Sequence, residues 1–177
     1  GVLMGILLQI VNAALIIGGQ AVSASMGLSM ANMVDPSMGN VPVIAQFFVI
    51  CSTLIFLGLG GHVLVISLLL ESFELLPINS ALDLQGLLKL TIEWSAMMFV
   101  GAILIGLPLM ASLLFINIGL GVITRTAPAL NIFAVGFPAM ILAGIVLLSL
   151  SMTSIGYRIQ WLWQESFEII GQALGIR

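Results

Sequence analysis

His62 and Cys51 are the only histidine and the only cysteine in the 177-residue chain. A lone histidine with no carboxylate or cysteine near it in sequence cannot build a metal site or a nucleophilic triad. Acting as a proton-sensitive group would also require a partner, so His62 reads as a packing or hydrogen-bonding residue. Cys51 lies in an apolar run without a second cysteine, which leaves no disulfide framework and no thiolate metal site. The chain contains no P-loop, no dinucleotide-binding glycine set and no HExxH. These absences predict no catalytic residue, no cofactor and no metal, and they make an enzyme improbable. Ion-coupled transport would lead one to expect ionisable residues within the spans, because coupling ions need carboxylates or exposed carbonyls at mid-depth. Yet all seven acidic residues lie outside the four stretches without Asp, Glu, Lys or Arg: 1–34, 36–70, 94–124 and 126–157. Lys89, Arg125, Arg158 and Arg177 are the only bases, with a net charge of −3, so no basic patch suggests nucleic acid. They are also too few to orient the chain in a membrane.

Methionine is the reactive-looking side chain that does recur. Met26, Met30, Met33 and Met38 cluster around Asp35-Pro36, with Gly27 and Gly39 close by. Met is unbranched and polarizable, so it fills irregular gaps and can reseal after disturbance. A connector over 26–42 carrying four of them would make a compliant hydrophobic closure. Equally, it could be a loop buried against neighbouring helices with Met as filler.

The elements that would position this connector follow from composition. The chain is 61% hydrophobic and 6% charged, with a mean hydropathy of +1.29, whereas a soluble domain carries about a quarter charged residues. Each charge-free stretch exceeds the roughly 20 residues that one bilayer crossing needs. The expected fold is therefore all-α and integral-membrane-class, a single domain over 1–177 of long kinked or broken apolar helices and helical hairpins. The first residue is Gly and the chain starts inside an apolar helix, so it reads as a fragment without its native N-terminus, and no signal peptide can be judged.

Helix is predicted over 1–34, with a bend at Gly18-Gly19 and an end at Asp35-Pro36. Gly5, Gln9, Asn12, Ile16, Gln20, Ser23 and Gly27 recur at helical spacing and form one stripe. An unpaired amide is costly in hydrocarbon, so Gln9, Asn12, Gln20 and Ser23 should face packed helices or a water-lined conduit. A second helix covers 43–70, softened by Gly58, Gly60 and Gly61. A charged amphipathic link follows over 71–94, with a turn at Pro77–Asn79. Apolar elements over 95–123 and 131–153 contain Pro108 and Pro138, predicting kinked or broken helices whose freed carbonyls need protein neighbours. Arg125 between them reads as a snorkelling helix-end charge. Residues 158–177, with Trp161 and Trp163, read as an amphipathic tail lying at an interface or against another subunit.

Taken together, GGQ (18–20), MGLS (26–29), Asp35-Pro36, GGH (60–62), ESFELLP (71–77) and TRTAPALNIFAVGFP (124–138) resemble the FliR family of flagellar type III export-gate subunits. The likeness runs from about residue 10 to 153 and rests on several ordered motifs; injectisome relatives fit the NIFAVGFP stretch less well. It implies a helical subunit of the bacterial inner membrane at the flagellar basal body. There it would assemble with FliP-like and FliQ-like subunits and meet other export-apparatus proteins, membrane lipid and, transiently, unfolded exported chains. It also implies that the 26–42 loop lies in the pore, with Met26, Met30, Met33 and Met38 sealing and Asp35, Pro36 and Gly39 directing its path. The broken-helix motif carrying Arg125, Pro128, Asn131, Gly136, Phe137 and Pro138 would serve subunit contact. Many relatives carry GFPLK where this chain has Gly136-Phe137-Pro138-Ala139-Met140, with Met in place of the lysine. Two rival readings remain: a self-contained small-molecule or ion transporter, and a membrane assembly scaffold with no pore role.

Overall fold

A computed structural model of the chain describes residues 1–28, 42–75, 84–126 and 132–175. Six helices occupy these segments: α1 Val2–Ser25, α2 Val43–Gly58, α3 Gly61–Leu75, α4 Leu84–Ser95, α5 Met97–Thr126 and α6 Ile132–Ala173. No strand occurs among the described residues. By length and composition, three helical stretches could cross a membrane, namely α1, the run Leu84–Arg125 and Gly136–Ala173, and α2 with α3 would add a fourth as a bent span.

α1 is the axis of the bundle, touching α2, α4, α5 and α6. Met4, Leu7, Val11, Ala14, Leu15, Gly18, Val22 and Met26 line its buried side. Around this row gather Phe48 of α2, Trp94 of α4, Ile105, Leu109 and Leu113 of α5, and Ile155, Ile159, Leu162, Trp163 and Ile170 of α6. Small residues set the α1–α5 crossing. A Cβ built on Gly18 would lie 3.1 Å from the carbonyl oxygen of Ala102, and one on Gly101 would lie 3.1 Å from the Ala14 Cβ. Close backbone approach of this kind holds apolar helices together when lipid offers no hydrophobic gain.

α1 is one uninterrupted helix, so Gly18-Gly19 does not break it. The pair lets neighbouring backbones come near instead, since a Cβ on Gly19 would stand 2.5 Å from the Cα of Ala45. Helix also stops earlier than the predicted residue 34, at Ser25. Helix continues through Pro108 and Pro138, so neither of the prolines expected to kink or break a helix ends an element. The chain breaks at Leu59-Gly60, where Gly60 adopts φ +71° and α2 and α3 meet at 66°. Glycine takes that left-handed conformation without a Cβ penalty. Gly61 completes the corner by lying under the Phe56 ring, with no room for a side chain. His62 is exposed one residue on, rather than packed.

Most of the predicted 71–94 link is helical among its described residues: α3 runs to Leu75 and α4 begins at Leu84. The turn expected at Pro77–Asn79 lies outside the described residues. Lys89 and Glu93 of α4 are 3.9 Å apart, but their side chains are 78% and 68% exposed, so the pair contributes little. Residues 158–173 do not form a separate tail. They extend α6 to 42 residues, and their apolar side packs on this chain's own core through Ile159, Leu162, Trp163 and Ile170.

Trp163 donates from Nε1 to Ser52 Oγ at 2.9 Å, both groups being buried, and its ring lies 4.6 Å from that of Phe56. Trp94 likewise donates to the Leu7 carbonyl at 3.1 Å. Trp163→Phe keeps the aromatic contact but strands the Ser52 hydroxyl. The expected loss is about 1–3 kcal/mol, read as a lower unfolding midpoint in detergent; an unchanged midpoint would show that the hydroxyl finds another partner.

Candidate functional site at the root of the methionine loop

α1 ends where the methionine-rich connector begins. Met26 N–H donates to Val22 O, and Gly27 N–H to Ala24 O, each at 3.0 Å. Gly27 then turns the chain at φ +80°, the usual role of glycine just past a helix end. A Cβ at Gly27 would contact the Phe137 ring at 3.4 Å, so the ring seats against this turn.

Met26 does not behave as a loop residue. It is 1% exposed, and its side chain lies in a notch left by Gly144 on α6. A Cβ on Gly144 would fall 2.7 Å from Met26 Cγ and 2.8 Å from its Sδ, so the notch exists only because residue 144 has no side chain. The Met26 thioether thus packs in the chain's own core at the start of the connector. Beside the notch lies a cavity of about 300 Å3 lined by Ala24, Ser25, Met26, Gly27, Asn117, Leu120, Gly136, Phe137 and Met140. The structure thus brings the start of the connector against the Gly136-Phe137 motif, two stretches more than a hundred residues apart in sequence.

Sequence reasoning missed Gly144, Met140, Leu120 and Asn117 as members of this site. The available signal was the row Gly136, Met140, Gly144, spaced four residues apart on one helical face. Met140, which stands where many relatives carry lysine, is 8% exposed in this apolar setting. Charge there would have to be buried, which is costly.

The other predicted residues fall in separate places. Gln9 and Gln20 are exposed and Asn12 is half-buried, on the side of α1 away from its core row, but Ser23 is buried within this chain at 3%. Ser23 therefore leaves the outward stripe. Gln46 of α2 and Ile16 of α1 flank a shallow groove of about 480 Å3 beside it. Arg125 is exposed in the last turn of α5, where a cation suits the helix C-terminus. Gly136 is buried, Phe137 half-buried and Pro138 exposed on a continuous α6. Met30, Met33, Asp35, Pro36, Met38, Gly39, Pro128 and Asn131 lie outside the described residues. No group of three His, Cys, Asp or Glu side chains among the described residues could hold a metal ion.

Long apolar helices locked by glycine contacts, with exposed apolar faces, define a membrane-class helical protein. The family model of bacterial export proteins, family 1, matches residues 1–166. Flagellar biosynthetic protein FliR of Pectobacterium carotovorum subsp. carotovorum is 35% identical over 98% of this chain, which spans 67% of that relative. FliR of Escherichia coli (strain K12) has the same identity over 98% of the chain and 67% of its own length. FliR of Aquifex aeolicus (strain VF5) is 32% identical over 93% of the chain and 64% of its own. The chain belongs to the FliR family of flagellar export proteins.

Proposed function

We propose that the chain is a non-enzymatic structural subunit of the flagellar type III export gate. In this reading it assembles with FliP-like and FliQ-like subunits in the bacterial inner membrane at the basal body. Together they form the conduit for unfolded flagellar proteins, and the 26–42 connector helps to close it. The observation that carries the reading is the amide row on the central helix: Gln9 and Gln20 point outward from a helix whose opposite side is fully packed. Amides on an apolar helix need protein or water against them, and no described residue of this chain covers those positions. α3 adds to the case, since it packs mainly on α2 and exposes Val63, Leu64, Ile66, Leu70 and Phe73. Met26 is the anchor of the connector, and closure falls to Met30, Met33 and Met38.

The test is permeability of the assembled complex. Alanine at Met30 and Met33, or a partial deletion within 27–39, is expected to raise ion or small-molecule leakage. Unchanged leakage in a complex of normal composition removes the closure role. The transporter rival predicts that the detergent-solubilised particle has the mass of this chain alone.

A further inference from the structure

The α5–α6 hairpin carries a second cavity that the closure reading leaves unused. Ser154, Tyr157, Arg158 and Trp161 of α6, with Leu104 of α5, line an open pocket of about 410 Å3. The spacing of the α6 residues puts them on one side of the helix, within one another's reach. Arg158 is the first ionic side chain after the charge-free stretch 126–157 and is half-buried. Among the described residues the single ion pair joins Lys89 to Glu93, and Arg158 has no carboxylate partner among them. On its own helix the next acid, Glu165, stands two turns further on, about 10 Å along the axis and beyond ion-pair reach.

Depth along α6 indicates the occupant. From Pro138 to Arg158 the helix rises about 30 Å, the thickness of a hydrocarbon core. Over that interval Leu142, Ile145, Val146 and Leu150 are exposed, as is Leu107 on α5 beside the pocket. At its end come Tyr157 and Trp161, the residue types that settle at a membrane–water interface. We propose that this pocket binds the phosphate group of an anionic phospholipid. The Arg158 guanidinium pairs with phosphate oxygens, the Ser154 and Tyr157 hydroxyls donate to others, and an acyl chain runs along Leu150 and Val146. The continuous apolar surface leading away from the cation suits a lipid and not a free anion. This site stands apart from the methionine loop and needs only the membrane location.

The experiment is native mass spectrometry of the protein purified in mild detergent with its co-purifying subunits, titrated with phosphatidylglycerol or phosphatidylcholine. Phosphatidylglycerol should be retained preferentially, and Arg158→Gln should lower its retention about tenfold, as loss of a charge-assisted hydrogen bond implies. Ser154→Ala combined with Tyr157→Phe keeps the charge and should lower retention severalfold; this variant carries the test if Arg158→Gln does not assemble. Equal retention by the variants and the native protein overturns the proposal. So does displacement of the lipid by millimolar inorganic phosphate, which would make this a soluble-anion site. Loss of a subunit from the Arg158→Gln particle with lipid retention intact would show that Arg158 meets a protein carboxylate, and also overturns it.

Discussion

Met26→Ala is expected to destabilise the protein by about 2–5 kcal/mol, the usual cost of emptying a buried Met site. Met26 is 1% exposed and fills the Gly144 notch, so truncation leaves a cavity bounded by backbone and by Phe137, next to a hollow that already exists. The α1–α6 contact at this end would loosen, and with it the point from which the 26–42 connector departs. Thermal unfolding in detergent should show the loss directly. Met26→Leu, similar in volume, should cost less than about 1.5 kcal/mol. The pair separates two roles. If Met26 anchors, both stability and closure fall in the alanine variant and both are largely kept in the leucine variant. If Met26 seals a pore by virtue of its sulfur, stability stays near native in both while leakage rises even with leucine. Near-native stability of Met26→Ala would refute the anchor.

Gly19→Val should be comparably damaging for the opposite reason. Its Cβ would stand 2.5 Å from Ala45 Cα and 2.8 Å from Ala45 N. Both obstacles are backbone, so no side chain can swing aside, and α1 and α2 must separate along their crossing. Overpacking typically costs about 1–3 kcal/mol, occasionally more, and a helix pair held by close approach is at the upper end. The readout is again the unfolding midpoint, together with recovery of folded protein from the membrane. Gly5→Ala is the matched control. Gly5 is exposed on the same helix with nothing near its missing Cβ, so alanine should be neutral or stabilise by up to about 1 kcal/mol through helix propensity alone. A Gly19→Val protein as stable as the Gly5→Ala one would mean that α1 and α2 are not in contact at this point.

The all-helical class was legible from charge-free stretches longer than a span, and Gly58, Gly60 and Gly61 marked a soft point in what was expected to be one helix over 43–70, where the structure has a full corner between α2 and α3. Pro42 also announced a start: its carbonyl accepts the N–H of Ala45 at 2.9 Å and opens α2. Elsewhere among the described residues proline ends no helix. Pro108 and Pro138 sit inside continuous helices because a helix held on several sides by neighbours can lose one backbone bond without ending. Near Pro108, Ser112 Oγ donates to the Pro108 carbonyl at 2.8 Å, a bond within the turn that follows the proline. The candidate site was half legible. Met26, Gly27, Gly136 and Phe137 were singled out, each for a reason of its own, but no pattern said that they meet. Gly144 gave no local signal, as its importance lies in what fills the space above it.

By itself the amino-acid sequence determined that this is an apolar helical protein, that the chain yields near Gly58–Gly61, and that one stripe of α1 carries amides. Only the tertiary structure decided which side of α1 turns inward, that Gly18-Gly19 is a contact and not a hinge, and that Met26 belongs to the core. The physical reason is that these helices are apolar nearly all round, so burial preference hardly distinguishes one face from another. Direction is set instead by where glycine and alanine let two backbones approach, and that is a property of pairs of helices which neither sequence carries alone.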